Sequence, residues 1–167
     1  MSSKAIPSPF AKRTSVEQVE EGDQLAPKFD KEGLLPCLTL HAETQEVLMF
    51  AFMNSEALAL TIETGLAHYW SRSRQKLWQK GERSGMFQKV TRMLVDDDQD
   101  CVVINVQLTG PSSGGEEASC HVGYRSCFYR QVQIGRCDGP PRLYFTERRK
   151  AFDPGRVYGN TPNPTQL

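Results

Sequence analysis

Short runs of branched and aromatic apolar residues fill the middle of the chain, and turn-forming residues separate them. Residues 33–40 and 46–53 read as two strands joined by a turn over 41–45. The second run is almost continuously apolar, which predicts burial on both faces. Asn54 or Ser55 then caps a helix, with Glu56 in its first turn, Ala57, Leu58, Leu60, Thr61 and Ile62 following, its apolar positions read as core, and a stop at Gly65. Residues 67–74 read as a strand. Alternation places His68, Trp70, Arg72 and Arg74 on one face, with Tyr69, Ser71 and Ser73 on the other. Residues 76–85 read as a loop rich in cations and glycine. Residues 87–95 lead into an acidic run, and 101–108 form a strand beyond it. A turn-rich stretch over 109–117 follows, and a last strand signal lies at 142–146. Strands outnumber the single helix, so the expected class is mainly β.

The chain divides by composition into three parts. Residues 1–23 are polar, with Pro7, Pro9 and several glutamates, and read as a mobile or partner-draped arm. Residues 24–147 form the folded domain, and 148–167 an irregular tail. A length of 167 residues suits one domain with a real core. Twenty basic and twenty acidic residues balance, so no bulk field draws the chain to nucleic acid or to a membrane. No apolar run is long enough to span a bilayer, and the N-terminus lacks the apolar core of a secretory signal. A reducing, cytoplasmic setting is therefore expected. The five cysteines are odd in number, which favours thiols or metal ligands over a bridge framework. Cys137 reads as a plain thiol.

Two clusters carry candidate chemistry. Asp96-Asp97-Asp98-Gln99-Asp100 sets four carboxylates within five residues. On a strand, Asp96, Asp98 and Asp100 share one face and Asp97 points to the other. Such a face needs a cation, and oxygen-only ligands suit Mg²⁺, Mn²⁺ or Ca²⁺. The other reading is a solvated acidic turn. The second cluster is Cys120, His121 and Cys127, a soft set that suits zinc, although its spacing is not that of a zinc finger. Arg72, Arg74 and Trp70 suit either a phosphate and a stacked base or a plain basic strand with a packed indole. Lys80 and Arg83 lie in a loop whose glycines and cations suit phosphate, without Walker spacing.

In order along the chain stand Glu46-Val47-Leu48-Met49, Met53-Asn54-Ser55-Glu56-Ala57-Leu58, His68-Tyr69-Trp70-Ser71-Arg72-Ser73-Arg74, Leu77-Trp78-Gln79-Lys80-Gly81-Glu82, the acidic run, and Cys120-His121 with Arg125-Ser126-Cys127-Phe128. This succession resembles phosphoribosyl-AMP cyclohydrolase of histidine biosynthesis, over about Phe29 to Arg130. The resemblance implies a small β-rich, barrel-like sheet in an intertwined homodimer with shared active sites. It implies Mg²⁺ at Asp96, Asp98 and Asp100, and Zn²⁺ at Cys120 and Cys127. The family's third zinc ligand is a cysteine supplied across the dimer, and this chain has Asp97 there. Cys101 lies four residues further on, roughly 13 Å along a strand.

The resemblance further implies hydrolysis of a carbon–nitrogen bond in the adenine ring of phosphoribosyl-AMP. Water acidified by the metal attacks ring C6, and His121 serves as acid and base or, in the blander reading, orients Cys120 or binds substrate. Trp70, Arg72, Arg74, Lys80 and Arg83 are the candidate substrate contacts. A carboxylate in place of a thiolate makes the metal set harder and more tolerant of Mn²⁺ or Fe²⁺, as in a zinc-sparing paralogue. The alternatives are a cyclohydrolase acting on another purine nucleotide and a non-catalytic nucleotide- or metal-binding protein.

Overall fold

The computed structural model describes residues 9–136 and 138–165; Cys137, read above as a plain thiol, lies outside them. In chain order the elements are α1 (Val16–Glu20), β1 (Leu35–His41), β2 (Val47–Met53), α2 (Ser55–Thr64), β3 (His68–Ser71), β4 (Lys76–Gln79), β5 (Gln88–Val95), β6 (Val102–Leu108), β7 (Arg130–Val132), β8 (Leu143–Phe145) and α3 (Pro154–Tyr158). The class is mainly β, as expected. Among the described residues the helices are three rather than one. Ser15 caps α1 and Asp153 caps α3, each accepting from a backbone N–H, and Pro154 opens α3 with its φ preset. Both helices are too short for a periodic apolar face to show in the sequence.

Six strands form one sheet in the order β4-β3-β2-β1-β6-β5. β1 and β6 run parallel, and the other neighbours antiparallel. The sheet curls until the run into β3 meets the start of β5: Ala67 N donates to Gln88 O at 3.0 Å and Val90 N to Gly65 O at 2.8 Å. The curl encloses a core that includes Leu35, Leu48, Met53, Leu58, Tyr69, Val102, Ile104 and Val106. α2 lies against β3, with Asn54 capping its first turn and Gly65 closing it at φ +68°.

β2 is buried on one face only. Val47 and Phe50 are exposed, because among the described residues no layer covers that side of the strand. The 67–74 run stops as a strand at Ser71. A turn with Gln75 at φ 48° folds the chain back into β4, so Arg72 and Arg74 sit in a hairpin turn and not on a strand face. Residues on either side of the 23/24 and 147/148 limits are packed on the domain. Val19 and Ala26 are buried near the acidic turn, and Phe152 fills a second small core with Met86 and Ala118. Among the described residues no helix is long and apolar enough to cross a membrane.

Candidate active site

The cysteines lie on a loop with no regular structure, held by its own backbone and by its neighbours. Ser119 N donates to Arg125 O at 2.7 Å, and Gly123 N to Cys120 O at 3.1 Å. Gly123 sits at φ +106°, and a β-carbon there would meet Phe152 O at 2.8 Å, so only glycine fits. The far end of the loop is fastened to β2: Cys127 N donates to Leu48 O and Ser126 Oγ to Val47 O. Glu147 accepts from the amides of Arg125 and Ser126, and the Arg125 guanidinium bridges Glu46 and Glu117.

This framework brings the Cys120 and Cys127 thiols into hydrogen-bond contact. Cys120 is buried; Cys127 is exposed as a residue, but its sulfur turns in against Cys120. The hydrogen bond from Cys127, with smaller help from the Val122 amide and the Lys80 ammonium, lowers the Cys120 thiol to about 7. Holding that bond, and being desolvated, raises Cys127. The two titrate as a pair with one readily lost proton. Lys80 is buried, and its Nζ donates to Ser119 O at 2.7 Å; burial lowers its pKa. His121, next to Cys120, is half-buried, with Nε2 3.3 Å from Asn163 Oδ1. Tyr158 hydrogen-bonds Ser84, is close enough to feel both cysteines, and has its hydroxyl pKa raised by burial.

The acidic run is not a strand. It is the turn of the β5–β6 hairpin, so the expected alternation of Asp96, Asp98 and Asp100 on one face does not hold. Gln99 takes a left-handed conformation at φ 57°, and Asp96 Oδ1 accepts from the amides of Asp100 and Cys101, both at 2.9 Å. Aspartate favours such a local turn over a ladder. Oxygens of Asp96, Asp97 and Asp98 come within 4.8 Å of one another, whereas Asp98 and Asp100 share the ammonium of Lys28 at 2.7 and 3.2 Å. That ammonium holds the Asp98 carboxyl below its ordinary value.

The remaining candidates lie elsewhere. Trp70 is half-buried on β3, opposite Leu77 and Phe52. The Arg72 guanidinium stands 4.2 Å over the Phe52 ring, Arg74 Nε donates to Ser71 Oγ, and Arg83 is exposed. The sequence reading missed Glu147, Tyr158 and Asn163, which sit in a stretch with no periodic signal.

Donor chemistry decides which metals these groups fit. Two touching thiols, one ionising near neutrality, suit zinc or a related ion and supply two donors from this chain. Asp97 clusters with Asp96 and Asp98. The acidic turn offers the hard oxygens that Mg²⁺ takes, with Lys28 as a competing cation.

A curled β sheet with its chemistry gathered around a cysteine pair, a histidine and a buried lysine defines a small β-rich enzyme domain. A family model for phosphoribosyl-AMP cyclohydrolase matches residues 49–129. The phosphoribosyl-AMP cyclohydrolase of Rhodopseudomonas palustris strain TIE-1 is 50% identical over 157 residues, covering 94% of this chain and 97% of the relative. That of Agrobacterium fabrum is 45% identical over 157 residues, covering 94% and 99%. That of Methanoregula boonei is 50% identical over 134 residues, covering 80% and 95%. The chain belongs to the phosphoribosyl-AMP cyclohydrolase family, as its motifs led us to expect.

Proposed function

We propose that this protein hydrolyses the adenine ring of phosphoribosyl-AMP in histidine biosynthesis. The observation that carries the reading is the Cys120–Cys127 pair with His121 beside it, in a chain half identical to enzymes of that name over nearly its whole length. A zinc-class ion held by Cys120, Cys127 and Asp97 of a second copy would supply the Lewis acidity that makes water reactive near neutral pH. Water oxygen bonds to ring C6, the C6–N1 bond breaks, and N1 takes a proton. His121 would remove the proton from water and return it to N1, and the contact of its Nε2 with Asn163 Oδ1 at 3.3 Å supports a held ring. Asp96, Asp98 and Asp100 would hold Mg²⁺, which neutralises phosphate. Arg72, Arg74 and Arg83 are the exposed cations available to the phosphates, and Trp70 the aromatic surface for a base. Lys80 points instead at the loop that carries Cys120.

A homodimer is part of this reading. Leu94 and Val95 are exposed beside the acidic turn, and Val47, Phe50 and Phe128 are exposed beside the cysteine loop. Apolar surface at both places favours a second copy that brings Asp97 to the thiols. The carboxylate hardens the set and favours Mn²⁺ or Fe²⁺ beside Zn²⁺. The test is turnover of phosphoribosyl-AMP by the purified protein with Mg²⁺ and each of these ions. Ring opening is expected. A folded dimer inert with every ion, or faster on another purine nucleotide, would overturn the assignment.

A further inference from the structure

A chain of buried polar side chains crosses the apolar core and ends one residue before Cys120. Thr39, Tyr69 and Gln88 are fully buried, and Ser119 nearly so. Tyr69 OH donates to Gln88 Oε1 at 2.7 Å, which leaves Thr39 Oγ1 as donor to the phenol oxygen at 2.8 Å. The Gln88 amide nitrogen then donates to Ser119 Oγ at 2.8 Å and to Met49 Sδ at 3.3 Å. The phenol proton fixes which end of the amide faces Tyr69, and so aims its NH₂ at Ser119.

A core gains little stability from such a chain. Apolar side chains of the same volume would fill the space without desolvating four polar groups. The chain does specify geometry. Ser119 is gripped at every polar group: Oγ by Gln88, the carbonyl by the buried Lys80 ammonium at 2.7 Å, and the amide by Arg125 O at 2.7 Å. The three grips come from the start of β5, the end of β4 and the cysteine loop itself. Little freedom is left for the α-carbon of Cys120.

We infer that Gln88, with Lys80, is a positioning residue for the metal-binding thiol of Cys120, acting through Ser119. The inference rests on the metal reading of the cysteine pair. Groups that orient a ligand without touching the metal control affinity and geometry at that ligand. Tyr69 and Thr39 stand behind Gln88 and keep its amide from turning.

The experiment uses full-length protein carrying Gln88→Met, Ser119→Ala, or both. Each is loaded with Co²⁺ for its thiolate charge-transfer band and with Zn²⁺ for retention against a chelator, and assayed on phosphoribosyl-AMP. Gln88→Met should shift the cobalt band and weaken Zn²⁺ retention about tenfold to a hundredfold. It should lower kcat while KM stays within about twofold. Adding Ser119→Ala should cost nothing more, because both act through one contact. A wild-type cobalt band and wild-type retention in Gln88→Met would overturn the inference while leaving the metal reading intact, as would additive losses in the double variant. A wild-type protein with no cobalt–thiolate band would overturn both. Should Gln88→Met fail to fold, Ser119→Ala alone gives the same readings with the same force.

Discussion

Asn163 Oδ1 lies 3.3 Å from His121 Nε2, across 42 positions of sequence. The contact exists because Phe152 anchors the last segment beside Met86 and Ala118, and α3 then turns the chain back over the cysteine loop. A carbonyl oxygen at Nε2 favours the tautomer with its proton there and limits rotation of the ring. On the proposed role of His121 as acid and base, Asn163→Ala should lower kcat by about tenfold with little change in KM, because that proton transfer belongs to the transition state. Steady-state kinetics on phosphoribosyl-AMP check this, and an unchanged kcat would remove Asn163 from the site.

The cysteine pair sets a pH dependence in the metal-free protein. Cys120 is lowered from an ordinary 9.0 to about 7, and Cys127 is raised. A lowered thiol stabilises the fold above the unfolded value and loses that contribution as pH falls through about 7. A raised thiol favours the fold below the unfolded value and loses that contribution as pH climbs past it. Metal-free Tm should therefore rise between pH 7 and 9 and fall beyond. Cys127→Ala, which removes the hydrogen-bond partner, should flatten the rise. Zn²⁺ uptake should release progressively fewer protons as pH passes 7.

Gln99 ties the N-terminal segment to the acidic turn. Its side chain is buried, its Oε1 accepts from Ala26 N at 2.7 Å, and its Nε2 donates to Val19 O at 2.9 Å and to Gln24 O at 3.3 Å. Gln99→Ala leaves those groups without partners and should cost about 2 kcal/mol. Chemical denaturation measures the loss. Hydrogen exchange should show faster exchange of the Ala26 amide while β1 and β6 stay protected. Uniform acceleration would mean that Gln99 supports the sheet instead.

Much of the fold is legible in the sequence alone. Asn54 and Gly65 bound α2 because capping chemistry is local. β1, β2, β6 and β8 follow apolar runs. Gln99 gave no signal, since a glutamine among aspartates has no apolar period and its partners lie over 70 positions away. Lys80 reads in the sequence as a phosphate contact in a cation-rich loop, since lysine is usually exposed; its burial against Ser119 arises only when the end of β4 meets the cysteine loop. The acidic run was read by strand alternation, and the preference of aspartate for side-chain-capped turns won.

Lys28 already supplies a cation to the acidic turn. Its ammonium pKa is raised by Asp98 and then Asp100, and all three groups are well exposed to solvent. On the proposed Mg²⁺ role of this turn, an incoming divalent ion would have to displace that ammonium. Lys28→Met should tighten Mn²⁺ binding at Asp96, Asp98 and Asp100, read by electron paramagnetic resonance, and lower the Mg²⁺ concentration that half-saturates activity. Equal or weaker Mn²⁺ binding in the variant would show that Lys28 helps to shape the turn rather than compete for it.

The most direct measurement is ring opening of phosphoribosyl-AMP by protein stripped of metal, with Mg²⁺ present throughout and Zn²⁺, Mn²⁺ or Fe²⁺ added in turn, beside the Cys127→Ser variant. The stripped protein should be inactive and regain activity on addition, with Mn²⁺ or Fe²⁺ serving at least as well as Zn²⁺, while Cys127→Ser stays inactive with all three. Full activity in the stripped protein or in Cys127→Ser, or no activity with any ion from a folded dimer, would contradict catalysis at the cysteine pair.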